Sequence, residues 1–336
     1  MHRREMIRWA GMGATSLSLG LLPRLRAADT MNPASQKILF FTKSSGFEHS
    51  VIKRNAGNPS FAEQVLAELG PKQGIGFTFS KDGSLFTPAY LAQFDAYLFY
   101  TSGDLLSVGP DGQPAMTPEG KQALLDAVAG GKGFVGVHSA SDTFHTNEHG
   151  GGNNPIRVQR YQNYGDAADS YVKMLGGEFI RHGPQQIAKA RITDPTFPGF
   201  GDLGGELNVM EEWYTLKDFA PDLHVQLVME TEGMKGADYA RPPYPLAWAR
   251  LHGKGRVAFN AMGHREDVWT SPAFQNMLIG TLKWAAGVAK ADVKPNLERV
   301  TPGYATIQPP PPEVVNPPPP RTPAPRANEP APARPN

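Results

Sequence analysis

The 336-residue chain contains no cysteine. That absence removes disulfides, Cys-ligated zinc, iron–sulfur clusters and every thiol nucleophile. An excess of charge is missing too: 33 Lys and Arg stand against 32 Asp and Glu, so no basic stripe points to nucleic acid and no acidic or polyanionic partner is indicated. The serine-hydrolase pattern Gly-x-Ser-x-Gly is absent around the best turn for it, where Gly136 and Ala140 frame His138 and Ser139 falls one step late. Gly130-Gly131-Lys132-Gly133 precedes a strand, whereas a phosphate-cradling loop follows one. There are no internal repeats of diagnostic period.

What is present is a chain with 40% hydrophobic residues, enough for a sizeable core. Its two ends lie outside that core. Arg3-Arg4, an apolar segment over 9–22 too short to span a membrane, and Ala27-Ala28 read as a twin-arginine export signal over 1–28. That places the mature protein in the periplasm or outside the cell, with no transmembrane span after signal removal. Leu25 or Arg26 stands where cleavage sites usually carry a small residue, so an uncleaved anchor is the alternative. From 295 to 336 the proline runs, such as 309–312 and 317–320, have few apolar partners and predict extended or disordered chain.

Between the ends, apolar β-branched runs alternate with amphipathic stretches. Strands are expected over 37–42, 77–80, 96–100 and 133–137, and helices begin at the capping signals Ser60-x-x-Glu63 and Thr117-Pro118. Alternation with short connections implies right-handed βαβ units and a mainly parallel sheet with helices on both faces. The second half favours antiparallel additions: strands over 186–193, 207–216 and 224–231, and a hairpin of 246–251 with 256–261. The fold class is therefore α/β, in one domain over 37–290.

Polar residues crowd in where the strand 133–137 ends, at the edge where open α/β sheets place their chemistry. His138 sits at the outline of a nucleophile elbow. His49, His182 and His264 likewise follow expected strands, so four imidazoles are expected along one rim, able to hold a divalent metal (zinc, manganese or iron), shuttle protons or hydrogen-bond a sugar. Asp142, Glu211 and Glu212 supply carboxylates that orient an imidazole or complete a metal shell, and Trp213 and Tyr214 offer an aromatic platform for a sugar ring. The long segment 146–164, with Arg157 and Arg160, reads as a substrate loop. The pair His145 and His149 reads as solvated loop, since a glycine run follows.

The stretches Phe41-Thr42-Lys43-Ser44-Ser45-Gly46-Phe47-Glu48-His49, Gly133-Phe134-Val135-Gly136-Val137-His138-Ser139-Ala140-Ser141-Asp142, Leu175-Gly176-Gly177-Glu178-Phe179-Ile180-Arg181-His182 and Gly263-His264 resemble, in order and spacing, the ThuA-like (trehalose utilisation) family. The resemblance implies a class I glutamine amidotransferase-like, flavodoxin-like three-layer sandwich. It also implies a role in carbohydrate catabolism on trehalose-type glycosides or their 3-keto forms, with His49, His138, Asp142, His182 and His264 as site residues. In true amidotransferases the elbow carries the cysteine nucleophile, and His138 in its place rules that reaction out. The leading expectation is a glycoside or keto-glycoside lyase or hydrolase with His138, Asp142 and Glu212 catalytic, Trp213, Tyr214 and Arg157 binding a small-molecule sugar, and His49, His138, His182 and His264 around a metal. A non-catalytic carbohydrate-binding or cell-envelope module is the alternative. The oligomeric state is not legible.

Overall fold

The computed structural model describes residues 36–146 and 158–315. The export-signal segment, Arg157, His149 and the chain beyond 315 lie outside the described residues. The strands are β1 (Gln36–Phe41), β2 (Ile75–Ser80), β3 (Ala96–Phe99), β4 (Gly133–Val137), β5 (Glu178–His182), β6 (Gln186–Ile192), β7 (Glu206–Glu211), β8 (Tyr214–Lys217), β9 (His224–Glu230), β10 (Tyr244–His252) and β11 (Gly255–Asn260). Nine of them form one sheet in the order β2-β1-β3-β4-β11-β10-β9-β6-β7, while β5 and β8 pair separately.

The first five strands of that order are parallel and begin with the flavodoxin-like 2-1-3-4 sequence. The remaining four are added antiparallel through the β10–β11 hairpin. Every residue of β1 after Lys37, and all of β3 and β4, is buried, as a strand covered on both faces requires. Cover comes from two groups of helices. One is α1 (Phe61–Lys72), α5 (Glu266–Thr270) and α6 (Pro272–Ala285); the other is α2 (Pro88–Leu91), α3 (Pro118–Ala129) and α4 (Ser170–Leu175). Ser60 and Glu63 form the reciprocal cap expected of them, and Thr117 caps α3 through the Gly120 amide.

Two expectations are corrected here. The single strand over 207–216 is two strands, β7 and β8, in different sheets, broken at Glu212-Trp213. The residues read alike, but Glu211 turns inward and clamps backbone elsewhere, so the chain cannot continue along one ladder. The proline-rich end also starts later than 295. Leu297–Val300 forms a helical turn, α7, with Leu297 and Thr301 buried. The Asn296 side chain accepts from the Val225 amide at 2.7 Å and donates to the Val225 carbonyl at 3.1 Å. Arg241 donates to the Tyr304 carbonyl at 2.7 Å. Leu297 and Val300 join the hydrophobic core and Tyr304 packs against it, so the stretch is held by apolar packing together with these polar contacts to backbone. Among the described residues no helix is long and apolar enough to cross a membrane.

Candidate functional site

The turn after β4 sets the geometry. His138 adopts φ +47°, a left-handed conformation that a non-glycine residue holds only when its surroundings demand it, and a 3₁₀ turn over His138–Asp142 follows. Gly136, one residue before the strand ends, has no room for a side chain. An added Cβ would lie 3.0–3.1 Å from Leu175, Ala140 and Phe259. The chain is thus packed tight beneath the elbow, and the imidazole of His138 is fully buried at the carboxyl edge of the sheet.

Three other loops meet it there. His49 comes from the loop after β1, His264 from the turn after β11, and Glu212 from the break between β7 and β8. One ligand atom from each of His49, His138, Glu212 and His264 lies within 4.8 Å of the others. The ring centroids are 4.9 Å apart for His49 and His138, 5.2 Å for His49 and His264, and 5.3 Å for His138 and His264. Glu212 Oε2 is 3.0 Å from His264 Nδ1 and 3.5 Å from His138 Nε2.

The polar atoms of this group are unsatisfied in a particular way. His49 Nδ1, His138 Nε2 and His264 Nδ1 are buried without a hydrogen-bond partner; the carboxylate approaches His264 closely, but not in line for a bond. Buried polar atoms without partners are rare and costly. His138 Nδ1 lies 2.9 Å from the Ala261 carbonyl, a contact that protonates Nδ1 and leaves the Nε2 lone pair free toward the other two rings. A carbonyl behind a histidine is the usual support of a metal-ligating imidazole. Three imidazole nitrogens and one carboxylate oxygen make a set suited to a divalent transition metal such as zinc.

Electrostatics favour the ligating forms of His49 and Glu212 but shift His264 toward its protonated form. Burial, then the neighbouring His138 and His264, push His49 well below the ordinary histidine range, so its ring is neutral at pH 7. Burial would raise Glu212, but His138, His264 and His182 overcome it and hold the carboxyl well below its ordinary value. For His264, burial is outweighed by Glu212 and then Glu211, and its pKa rises. Tyr214 covers the floor, with its ring 4.1 Å from that of His138 and its hydroxyl 3.3 Å from His49 Nε2. Burial raises that phenol well above the usual range, as it does Tyr100.

Glu211 supports the group from behind. It accepts from the amides of Gly263 at 2.8 Å and His264 at 3.2 Å with one oxygen, and from the Glu212 amide at 2.8 Å with the other. One carboxylate therefore fixes the backbone of two of the four side chains. Burial raises its pKa, partly offset by His138 and these amides.

The remaining expected residues fall elsewhere. His182 ends β5 with its side chain 42% exposed and Nδ1 3.4 Å from Glu212 Oε1; it stands beside the four rather than among them, and Glu212 takes the place expected for it. Asp142 points away from His138 and bonds His145 at 2.5 Å, with Arg160 at 3.3 Å. Trp213 is fully buried and donates to the Gln186 carbonyl at 2.9 Å, so it offers no face to a ligand. Tyr214 is buried too, packed between His138 and Phe179. Gln185, 3.0 Å from His264 Nε2, and Tyr100, 5.7 Å from the His138 ring, were not expected. Tyr100 directly follows a buried strand on the same edge as the histidines, a position that could have marked it.

A second histidine group lies on the other side of the elbow. His145, expected in solvated loop, is buried, with Nδ1 2.7 Å from Glu178 and Nε2 2.5 Å from Asp142. Lys217 reaches Glu178 at 2.9 Å and Asp218 at 2.7 Å. Burial and Arg160 lower His145, but Asp142 and Glu178 prevail and raise it. Glu178 is driven up by burial and, more strongly in sum, down by His145 and Lys217, to about 2.

Comparison with known proteins matches the chain to a family. The ThuA family, described as trehalose utilisation, matches residues 37–285. Among solved structures, a ThuA-like protein of Bacteroides uniformis superposes with a TM-score of 0.54 at 17% identity, covering 77% of this chain and 94% of the other. One of Parabacteroides merdae gives 0.50 at 16%, covering 78% and 93%. At these identities the likeness is one of fold. No curated protein matches the chain. Matched over residues 37–285, most of its length, the chain belongs to the ThuA, or trehalose utilisation, family.

Proposed function

We propose that the protein binds a divalent transition metal through His49, His138, His264 and Glu212 and acts on a glycoside or 3-keto-glycoside of the trehalose type. One observation carries the reading: three buried imidazole nitrogens without partners converge with a carboxylate at the carboxyl edge of the sheet. Family membership supports a carbohydrate-related role. A cation held there supplies a Lewis acid for a carbonyl or hydroxyl oxygen.

The chain's own residues would handle the proton. In a 3-keto-glycoside the hydrogen on C2 is acidic because C3 is a carbonyl. A base takes that proton, its electron pair forms the C1–C2 double bond, and the C1–O bond breaks with the leaving oxygen taking up a proton. One molecule becomes two with no change in oxidation state. His182 is the partly exposed imidazole of the site and lies against Glu212, so this pair is placed to accept a proton and exchange it with solvent. Asp142, tied to His145 and Arg160, has no part in that step.

The test uses protein folded in the cell. Metal analysis is expected to find about one transition-metal ion per chain in the wild type, lost in His138→Ala. Incubation with 3-keto-trehalose is expected to release glucose with the wild type only. A wild-type protein without metal and without glucose release would sink the reading.

A further inference from the structure

Phe47 is the one exposed aromatic residue among the described residues, at 56%. Single exposed apolar side chains are common on protein surfaces and need no explanation by themselves. This one stands at the candidate site. Its ring centroid is 5.0 Å from that of His49, edge to face at 84°, and His49 in turn abuts His138 and His264.

Nor is it the tip of a loose loop. The amides of Ser45 and Gly46 donate to the Ser102 carbonyl at 2.8 and 2.9 Å, and Ser102 Oγ donates back to the Phe47 carbonyl at 2.7 Å. A Cβ on Gly103, which adopts φ +75°, would lie 2.3 Å from the Gly46 nitrogen, so the two loops touch backbone to backbone. The same loop carries Leu106 and Val108, also exposed, and is pinned by Ser45 Oγ to the Ser107 carbonyl and by Lys43 to the Val108 carbonyl. An exposed ring on a backbone held in place therefore stands directly beside a site histidine, as in sites that grip a ligand's carbon skeleton at the edge and its oxygens at the centre.

We infer that Phe47 is the stacking platform for a pyranose ring. It takes the hydrogen-bearing face of the sugar while the ring's oxygens turn toward His49, His138 and Glu212. The ligand class is a glycoside with at least one pyranose whose C–H face is unobstructed, and the inference rests on the glycoside reading above. An exposed aromatic held in place loses little freedom when a sugar settles on it, so its contribution goes to affinity.

Calorimetric titration of metal-loaded protein with trehalose, together with the KM for glucose release from 3-keto-trehalose, tests it. Phe47→Ala is expected to bind about tenfold more weakly at unchanged metal content, while Phe47→Trp binds at least as well as the wild type. Wild-type affinity in Phe47→Ala would overturn the platform and leave the glycoside reading standing. Loss of metal in Phe47→Ala would make the ring a mere support for His49 and overturn it as well. A wild type that binds neither sugar overturns both readings.

Discussion

Two histidine groups flank the turn after β4, assembled from the same kinds of side chain and finished in opposite ways. Around His145, three cationic groups (His145, Arg160, Lys217) meet three carboxylates (Asp142, Glu178, Asp218), and both ring nitrogens face an oxygen. Around His138, three rings present bare nitrogens to one carboxylate. The first group is saturated and can only hold the fold together. The second leaves buried ring nitrogens without hydrogen-bond partners, and the proposed metal site rests on that difference. Buried histidine alone distinguishes neither; the count of unmet lone pairs does.

Breaking the saturated group has the largest expected effect. Glu178→Gln removes the carboxylate shared by the buried His145 and Lys217 and leaves each with one, Asp142 and Asp218; loss of one member of such a network costs about 3 kcal/mol. Urea unfolding measures it, and metal content per folded molecule is expected to stay at the wild-type level. An equal loss of metal would mean that the two groups are coupled.

Glu211→Gln probes the other side. The amide keeps the size of the carboxylate but offers one acceptor oxygen where three backbone amides now bond. Metal affinity is expected to fall about tenfold, as when the outer support of a ligand is lost, measured by competition with a chromogenic chelator. Stability without metal is expected to change less than in Glu178→Gln.

The smallest effect is in pH. Glu178 is depressed from 4.5 to about 2, so its contribution is present above its ordinary value and is lost as pH falls toward the folded one. His145 is raised from 6.5, so its contribution is complete below that value and fades as pH rises through the folded one. The stability gap between wild type and Glu178→Gln is therefore expected to be widest between pH 4.5 and 6.5, and narrower on both sides. A gap independent of pH would mean that the side chains are not charged as their partners dictate.

Much of the fold was legible because buried parallel strands announce themselves as short β-branched runs, and because their carboxyl ends share an edge whatever the loops do. That put His49, His138, His182 and His264 on one expected rim, of which His49, His138 and His264 come together with Glu212. Glu212 was named as a carboxylate for an imidazole or a metal shell, but the strand break that carries it was not legible. The run Leu207-Asn208-Val209-Met210-Glu211-Glu212-Trp213-Tyr214 reads as one strand, and only the three-dimensional demand on Glu211 breaks it and turns Glu212 inward. Trp213 was misread for the same reason, since the break buries it instead of leaving it on a face. His145 was misread because its partners Glu178 and Lys217 are distant in sequence, and pairing of charges across such separations leaves no local pattern.

The amide of Asn296 has a practical consequence for anyone shortening this protein. It occupies both hydrogen-bonding groups of Val225, so one side chain does the work of a neighbouring strand where β9 begins. Trimming the proline-rich end at 295 would leave the Val225 amide without its acceptor, while the Val225 carbonyl would keep only Thr193 Oγ1. A cut after Gln308, beyond the Tyr304 carbonyl that Arg241 grips, would remove most of the prolines and leave the Asn296 contacts in place.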